Sequence, residues 1–228
     1  MSVLILPIGS YEQHGPVLPP DTDIKIAEYM ARELGKRIEN ASVLPVIPFG
    51  MAAEHDGFEN TISISMQGAM VYWSDVLKSI SNNMSQLDLV VLVNGHGGNQ
   101  TLLETICGQM NYTTSGPRFA VFHVFQPSAR KVAEEVFGVF SAHADSVETS
   151  VYAVLVSGFK RKTLQSFKTE VVGRHCLKLY PTRKISEDGI VSKLSTVCID
   201  EEAGKRIIES SLQDMVNRIS AYLEIIRL

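Results

Sequence analysis

The sequence predicts an α/β protein whose mostly parallel sheet is covered by helices on both faces, and two observations predict it. Short apolar or β-branched runs alternate with stretches of helical period along the 228 residues. The residues suited to chemistry gather just after two of those runs and at the start of a later helix, where an open α/β sheet presents functional groups.

The runs Val3-Leu4-Ile5-Leu6, Val43 to Ile47, Leu87 to Val93 and Arg118 to Phe125 are mostly bounded by Gly or Pro and read as buried strands. Ile24 to Ile38 carries apolar residues at Ala27, Met30, Ala31, Leu34 and Ile38, a helical period that returns over Gly68 to Met84 and Thr101 to Met110. A later helix is expected from Asp145 to Val156, and Asp200-Glu201-Glu202 supplies an acidic first turn for a final helix reaching Leu228. Lys160 to Ser195 mixes basic residues with Gly and Pro and reads as an extended excursion, so residues 1–228 are expected to form one domain.

Composition narrows the function. A hydrophobic content of 45% supports a large core, and a net charge of −4 without a Lys/Arg block lacks the footprint of a nucleic-acid binder. Met1 to Pro7 lacks the parts of a signal peptide, and no window approaches the roughly 18 apolar residues of a membrane span. A soluble, cytoplasmic protein without a membrane partner is expected. Cys107, Cys176 and Cys198 are odd in number and contain no Cys-x-x-Cys pair, which argues against a disulfide framework and against thiolate metal ligation.

Three segments carry metal-binding residue types. Glu12 and His14 stand two apart after the first strand, so in extended backbone both project to one side. Asp23 follows within Asp21-Thr22-Asp23, a segment that also fits a helix cap, although a cap needs only one of the three. His96 lies in Asn94-Gly95-His96-Gly97-Gly98-Asn99, where flanking glycines leave little apolar packing and favour a ligand or catalytic role over a core histidine. His143 and Glu148 converge on one point if His143 lies in the loop before the helix, though a capping segment with a surface histidine fits as well. Glu54-His55 with Ser63 is a polar loop that could line a pocket or be an ordinary turn. Lys25, Arg130 and Lys131 are candidates for phosphate contact and also fit solvated helix positions. Serine-elbow, phosphate-loop and His-Glu-x-x-His signatures are absent, which leaves metal-activated water as the leading nucleophile.

At these motifs the chain resembles the creatininase (creatinine amidohydrolase) family of metal-dependent amidases. The resemblance rests on Gly9-Ser10-x-Glu12-x-His14-Gly15 with Leu18-Pro19 and Thr22-Asp23, on Glu54-His55 with Thr61-Ile62-Ser63, on Asn94 to Asn99, and on His143-Ala144 with Glu148-Thr149. It implies a three-layer α/β/α fold, two divalent metals and a homo-oligomer, commonly a hexamer. It further implies metal ligands at Glu12, His14, Asp23 and His96, with Asp23 bridging. Gly97 and Gly98 stand where the creatinine-hydrolysing members carry Tyr-Glu, so one carboxylate ligand is missing and Glu148 is its natural replacement. His143 then resembles the catalytic histidine, with Asp145 in place of the usual Gly, and Glu54, His55, Ser63 and Gly97 become candidate substrate contacts.

Three carboxylates and a bridging hydroxide would balance two divalent cations. Nitrogen and oxygen donors suit zinc first, then manganese or iron(II). The expected activity is hydrolysis of a cyclic amide or formamide in a small molecule, as in the Gly-Gly members that deformylate a formamidopyrimidine nucleotide, which the stretch Leu18 to Ala27 resembles. Creatinine hydrolysis, trimming of a precursor peptide and non-catalytic binding are the alternatives.

Overall fold

The computed structural model describes residues 1–140, 143–156, 159, 167–171 and 179–227. His175, Cys176 and most of the expected excursion lie outside the described residues.

Four strands, β1 (Val3–Ile8), β2 (Ala41–Val43), β3 (Leu89–Asn94) and β4 (Arg118–His123), form a parallel sheet in the order β2-β1-β3-β4. Helices α1 (Thr22–Gly35), α2 (Met66–Asn83) and α3 (Gln100–Thr113) make the crossovers, followed by α4 (Pro127–Phe137), α5 (Ser146–Leu155) and α6 (Glu201–Ile226). A separate antiparallel ribbon joins β5 (Phe167–Lys168) to β6 (Thr196–Val197).

The central strands are apolar up to Asn94 because both faces are covered. Val3 and Ile5 of β1, with Leu89, Val91 and Val93 of β3, enter a core with α1, α4, α5 and α6. Their alternating neighbours Leu4, Leu6 and Ile8, with Val90 and Leu92, enter the opposite core with Trp73 and Leu77 of α2 and Leu103 of α3. The expected three layers follow from this alternation.

The order β2-β1-β3 reverses the direction of chain progression between β1 and β3. Such a switch point opens a crevice beyond the carboxyl ends of the strands. Glu12 and His14 leave β1 there, and His96 leaves β3 beside them.

Two elements differ from the sequence expectation. The strand expected over Val43 to Ile47 ends at Val43 because Pro45 has no N–H to donate, and pairing resumes only as an isolated Ile8–Ile47 bridge. Helix α4 was not anticipated, although Pro127 in its first turn and Gly138 at a left-handed C-cap are ordinary helix boundaries. Among the described residues no helix is long and apolar enough to cross a membrane.

Candidate metal centre

The centre is assembled where the β1 and β3 loops meet the first turn of α1. Gly95 permits the approach, because a Cβ there would stand 2.4 Å from the Asp23 carbonyl oxygen. The two asparagines of the β3 turn brace it: Asn94 accepts from the His96 N–H (3.1 Å) and donates to the His96 carbonyl (2.7 Å). Asn99 donates to the Gly9 carbonyl (3.1 Å) and accepts from the Met51 N–H (2.9 Å). Three loops are thereby fastened together.

Asp23 is no cap. Its side chain is buried between two imidazoles, with Oδ1 3.3 Å from His14 Nε2 and Oδ2 3.1 Å from His96 Nδ1. The neighbouring Asp21 pairs with Lys25 (2.7 Å), and Thr22 donates to the Pro19 carbonyl (2.6 Å). Glu12 Oε1 stands 3.1 Å from His96 Nδ1, while Glu148 Oε2 stands 3.8 Å from His14 Nε2.

Backbone carbonyls decide which ring nitrogen faces the cluster. His14 donates from Nδ1 to the Glu12 carbonyl (3.0 Å), which turns Nε2 inward, and His96 donates from Nε2 to the Met51 carbonyl (2.9 Å), which turns Nδ1 inward. This is how metal-ligating histidines are commonly oriented from behind. The inward atoms Glu12 Oε1 and Oε2, His14 Nε2 and Asp23 Oδ2 are buried without a hydrogen-bond partner, which is costly for polar groups unless a cation or proton lies among them.

Electrostatics agrees. Burial opposes charge on His14, yet Asp23, and after it Glu148 and Glu12, raise its pKa to about 10. Burial likewise opposes charge on His96, and Glu12 and Asp23 raise it well above the usual imidazole value. Burial pushes Asp23 up, but His14 and then His96 hold it below the usual carboxylate range. For Glu148 burial prevails and pushes it up to about 8, with His14 opposing and Asp23 reinforcing. The site draws positive charge to the two inward imidazole nitrogens.

The ligand-type atoms form three groups, each within 4.8 Å: Glu12 with Asp23 and His96, His14 with His143 and Glu148, and Glu12 with His55 and His143. Asp23 belongs to the first group with one oxygen, and its other oxygen faces His14 of the second.

Helix α5 supplies the second flank. Asp145 is its N-cap, accepting from the Val147 (2.9 Å) and Glu148 (3.2 Å) N–H groups, so this side chain replaces the expected Gly in a defined role. Ala144 sits at φ 54°, unusual for a residue with a Cβ, and its N–H donates to Glu148 Oε2 (2.6 Å). His143 donates from Nε2 to the Gln13 carbonyl (2.9 Å) and turns Nδ1 toward Glu12 Oε1 at 3.7 Å. Burial, with the neighbouring imidazoles of His55, His14 and His96, holds its pKa well below the usual value, so the ring is neutral.

The expected substrate contacts separate. Glu54, in the 3₁₀ turn Ala53–His55, places Oε1 3.4 Å from His96 Nε2 and is partly exposed, and Gly97 is exposed beside it. Burial would raise the Glu54 pKa, but the hydrogen bond from His96 lowers it. Gly98 leaves room for that carboxylate, since a Cβ there would lie 2.8 Å from Glu54 Oε1 and 2.4 Å from His96 Nε2. Ser63 instead accepts from the Ala52 N–H (2.9 Å) and holds the loop. His55 is buried within the cluster, its Nε2 3.3 Å from Glu12 Oε1 and its ring stacked on His143 at 4.1 Å.

Gln13 and Thr182, to which the sequence assigns no site role, both contact His55 Nδ1, at 2.9 and 3.1 Å. Strand alternation would place Gln13 opposite Glu12 and His14, whereas the Gly15 N–H and the Gly189 carbonyl hold its amide beside them. Thr182 is remote in sequence and carried no signal. Of the phosphate candidates, Lys25 binds Asp21 and Tyr152 (3.1 Å), Arg130 lies over the Phe140 ring, and Lys131 is exposed.

A family model described as Creatininase: Creatinine amidohydrolase matches residues 1–219. The 2-amino-5-formylamino-6-ribosylaminopyrimidin-4(3H)-one 5'-monophosphate deformylase of Methanothermus fervidus is 30% identical over 225 residues, covering 96% of this chain and 83% of that protein. The mycofactocin precursor peptide peptidase of Mycolicibacterium smegmatis is 35% identical over 115 residues, covering 48% of this chain and 45% of the relative, so the match spans less than half of that protein. Among solved structures, a mutant creatininase superposes with a TM-score of 0.76 at 19% identity over 97% of this chain and 91% of that one. A putative creatinine amidohydrolase from Bacteroides fragilis gives 0.71 at 19% identity over 95% and 87%. At these identities the structures attest the fold.

Proposed function

The chain belongs to the creatininase family of amidohydrolases, and on that premise we propose that it hydrolyses a C–N bond of a cyclic amide or formamide in a small heterocyclic molecule. The preferred substrate class is a formamidopyrimidine nucleotide, the group named in the deformylase relative matched over 96% of this chain. One observation carries the catalytic reading: Asp23 directs one oxygen to each of two imidazoles whose outer nitrogens are held by carbonyls. Two divalent cations, zinc first and manganese or iron(II) next, would be held by Glu12 and His96 on one side, by His14 and Glu148 on the other, and by Asp23 between them. When bound they supply Lewis-acid polarisation of the amide carbonyl and a water ionised near neutral pH.

The remaining chemistry belongs to side chains. Neutral His143, its Nδ1 lone pair turned into the cluster, accepts a proton there and returns it to the leaving nitrogen. Glu54, its pKa lowered beside His96 at the rim, is an acceptor for the N–H groups of a heterocycle, and Gly97 leaves space for it. Ser63 contributes by fixing the loop that carries Glu54. We include in this reading one domain, a cytoplasmic location and a homo-oligomer, the hexamer implied by the family, which sedimentation would test.

The test compares kcat/KM of metal-loaded protein on creatinine, a formamidopyrimidine ribonucleotide and a short peptide. Preference for the formamide is expected. Efficient creatinine turnover without formamide activity would contradict the substrate assignment while leaving the amidohydrolase assignment standing.

A further inference from the structure

Gln13 is buried beside the cluster, and its amide orientation is fixed by two groups with single roles. The Gly15 N–H can only donate and lies 2.9 Å from Oε1, while the Gly189 carbonyl can only accept and lies 3.0 Å from Nε2. The amide nitrogen therefore has one hydrogen committed to Gly189 and one remaining.

Two imidazole nitrogens lie within reach of that hydrogen: His55 Nδ1 at 2.9 Å and His143 Nε2 at 3.0 Å. His143 Nε2 is also 2.9 Å from the Gln13 backbone carbonyl, which can only accept, so this nitrogen carries its own hydrogen and cannot receive another. The remaining amide hydrogen goes to His55 Nδ1. A neutral imidazole that accepts at Nδ1 carries its hydrogen at Nε2, the atom 3.3 Å from Glu12 Oε1. The Thr182 hydroxyl, 3.1 Å from His55 Nδ1, can donate or accept and so does not by itself fix the ring; the single Nδ1 lone pair is met by the Gln13 amide.

We propose that Gln13 is a positioning residue that sets the tautomers of both deep histidines, His55 through its side-chain amide and His143 through its backbone carbonyl. His55 then carries its hydrogen at Nε2, the nitrogen 3.3 Å from Glu12 Oε1, and is withheld from cation ligation, while His143 presents a lone pair at Nδ1. The group formed by Glu12, His55 and His143, although compact enough for a cation, thereby has no free nitrogen at His55 to offer one. Glu12 is left to face His96, and the proton-carrying ring stays neutral and oriented.

Ring-¹⁵N histidine correlation spectra of the metal-free protein test this independently of any substrate, so the result stands even if the formamide assignment fails. The His55 signal is assigned by its disappearance in His55→Gln. In the wild-type protein His55 should show an unprotonated Nδ1 and a protonated Nε2, and His143 a protonated Nε2. Gln13→Glu, which replaces the donor facing Nδ1 by an acceptor, should reverse the His55 tautomer and leave His143 unchanged. Thr182→Val should change neither. A protonated Nδ1 on wild-type His55, a Gln13→Glu spectrum identical to wild type, or reversal by Thr182→Val would each overturn the proposal. The wild-type spectrum decides it even if a variant folds poorly.

Discussion

The two flanks of the centre are built in different ways. Glu12, Asp23 and His96 stand at the switch point of the sheet, where Asn94 and Asn99 tie three loops together and Gly95 packs against the backbone of α1. His143 and Glu148 rest instead on one turn, with Ala144 at positive φ and the Asp145 cap holding the start of α5. The contrast teaches that one flank is fixed by the central sheet, and the other by the cap of α5 together with the backbone bridge between His143 and Val191. Substitutions that disturb the first should affect folding and metal together, whereas those that disturb the second should act on chemistry or on a single cation.

The largest effect is expected at the group shared by both flanks. Asp23→Ala should lose both cations by elemental analysis and reduce turnover to background, whereas Glu148→Gln should retain the cation on the Glu12–His96 side. Equal metal loss in the two variants would erase the distinction. His143→Ala should keep its metal and lose roughly 10²–10⁴-fold in kcat, as expected when a positioned proton carrier is removed. If it released metal as Asp23→Ala does, His143 would become a ligand.

Two backbone substitutions sharpen the comparison. Gly95→Ala drives a Cβ to 2.4 Å from the Asp23 carbonyl and should destabilise the protein by about 3 kcal/mol in chemical denaturation, with metal lost as well. Ala144→Gly removes a left-handed Cβ penalty of about 1–2 kcal/mol and adds about 0.4–1 kcal/mol of unfolded-state entropy. A net gain between about 0 and 1.6 kcal/mol should follow. A large loss at Ala144 with tolerance at Gly95 would reverse the assignment of rigid and local flanks.

Much of this architecture was legible in the residues themselves. Unbroken apolar strands such as Leu89 to Val93 announced a sheet covered twice, and Glu12, His14, Asp23, His96, His143 and Glu148 were each singled out and are brought together. Asp23 shows why spacing alone was ambiguous: a cap and a ligand occupy the same place before a helix, and only the loop from β3 arriving at Gly95 distinguishes them. His55 looked like a rim residue because nothing local records that the 3₁₀ turn at Ala53–His55 points it under Glu12. Gln13 was hidden by alternation, and the role of Asp145 emerged only with the start of α5 in view.

The central claim is that two cations share Asp23, and an anomalous-scattering map of crystals grown with zinc or manganese tests it most directly. Two peaks per chain are predicted, one against Glu12 and His96 and the other against His14 and Glu148, with the Asp23 carboxylate between them. A single peak, no peak, or density confined to Glu12, His55 and His143 would contradict the account.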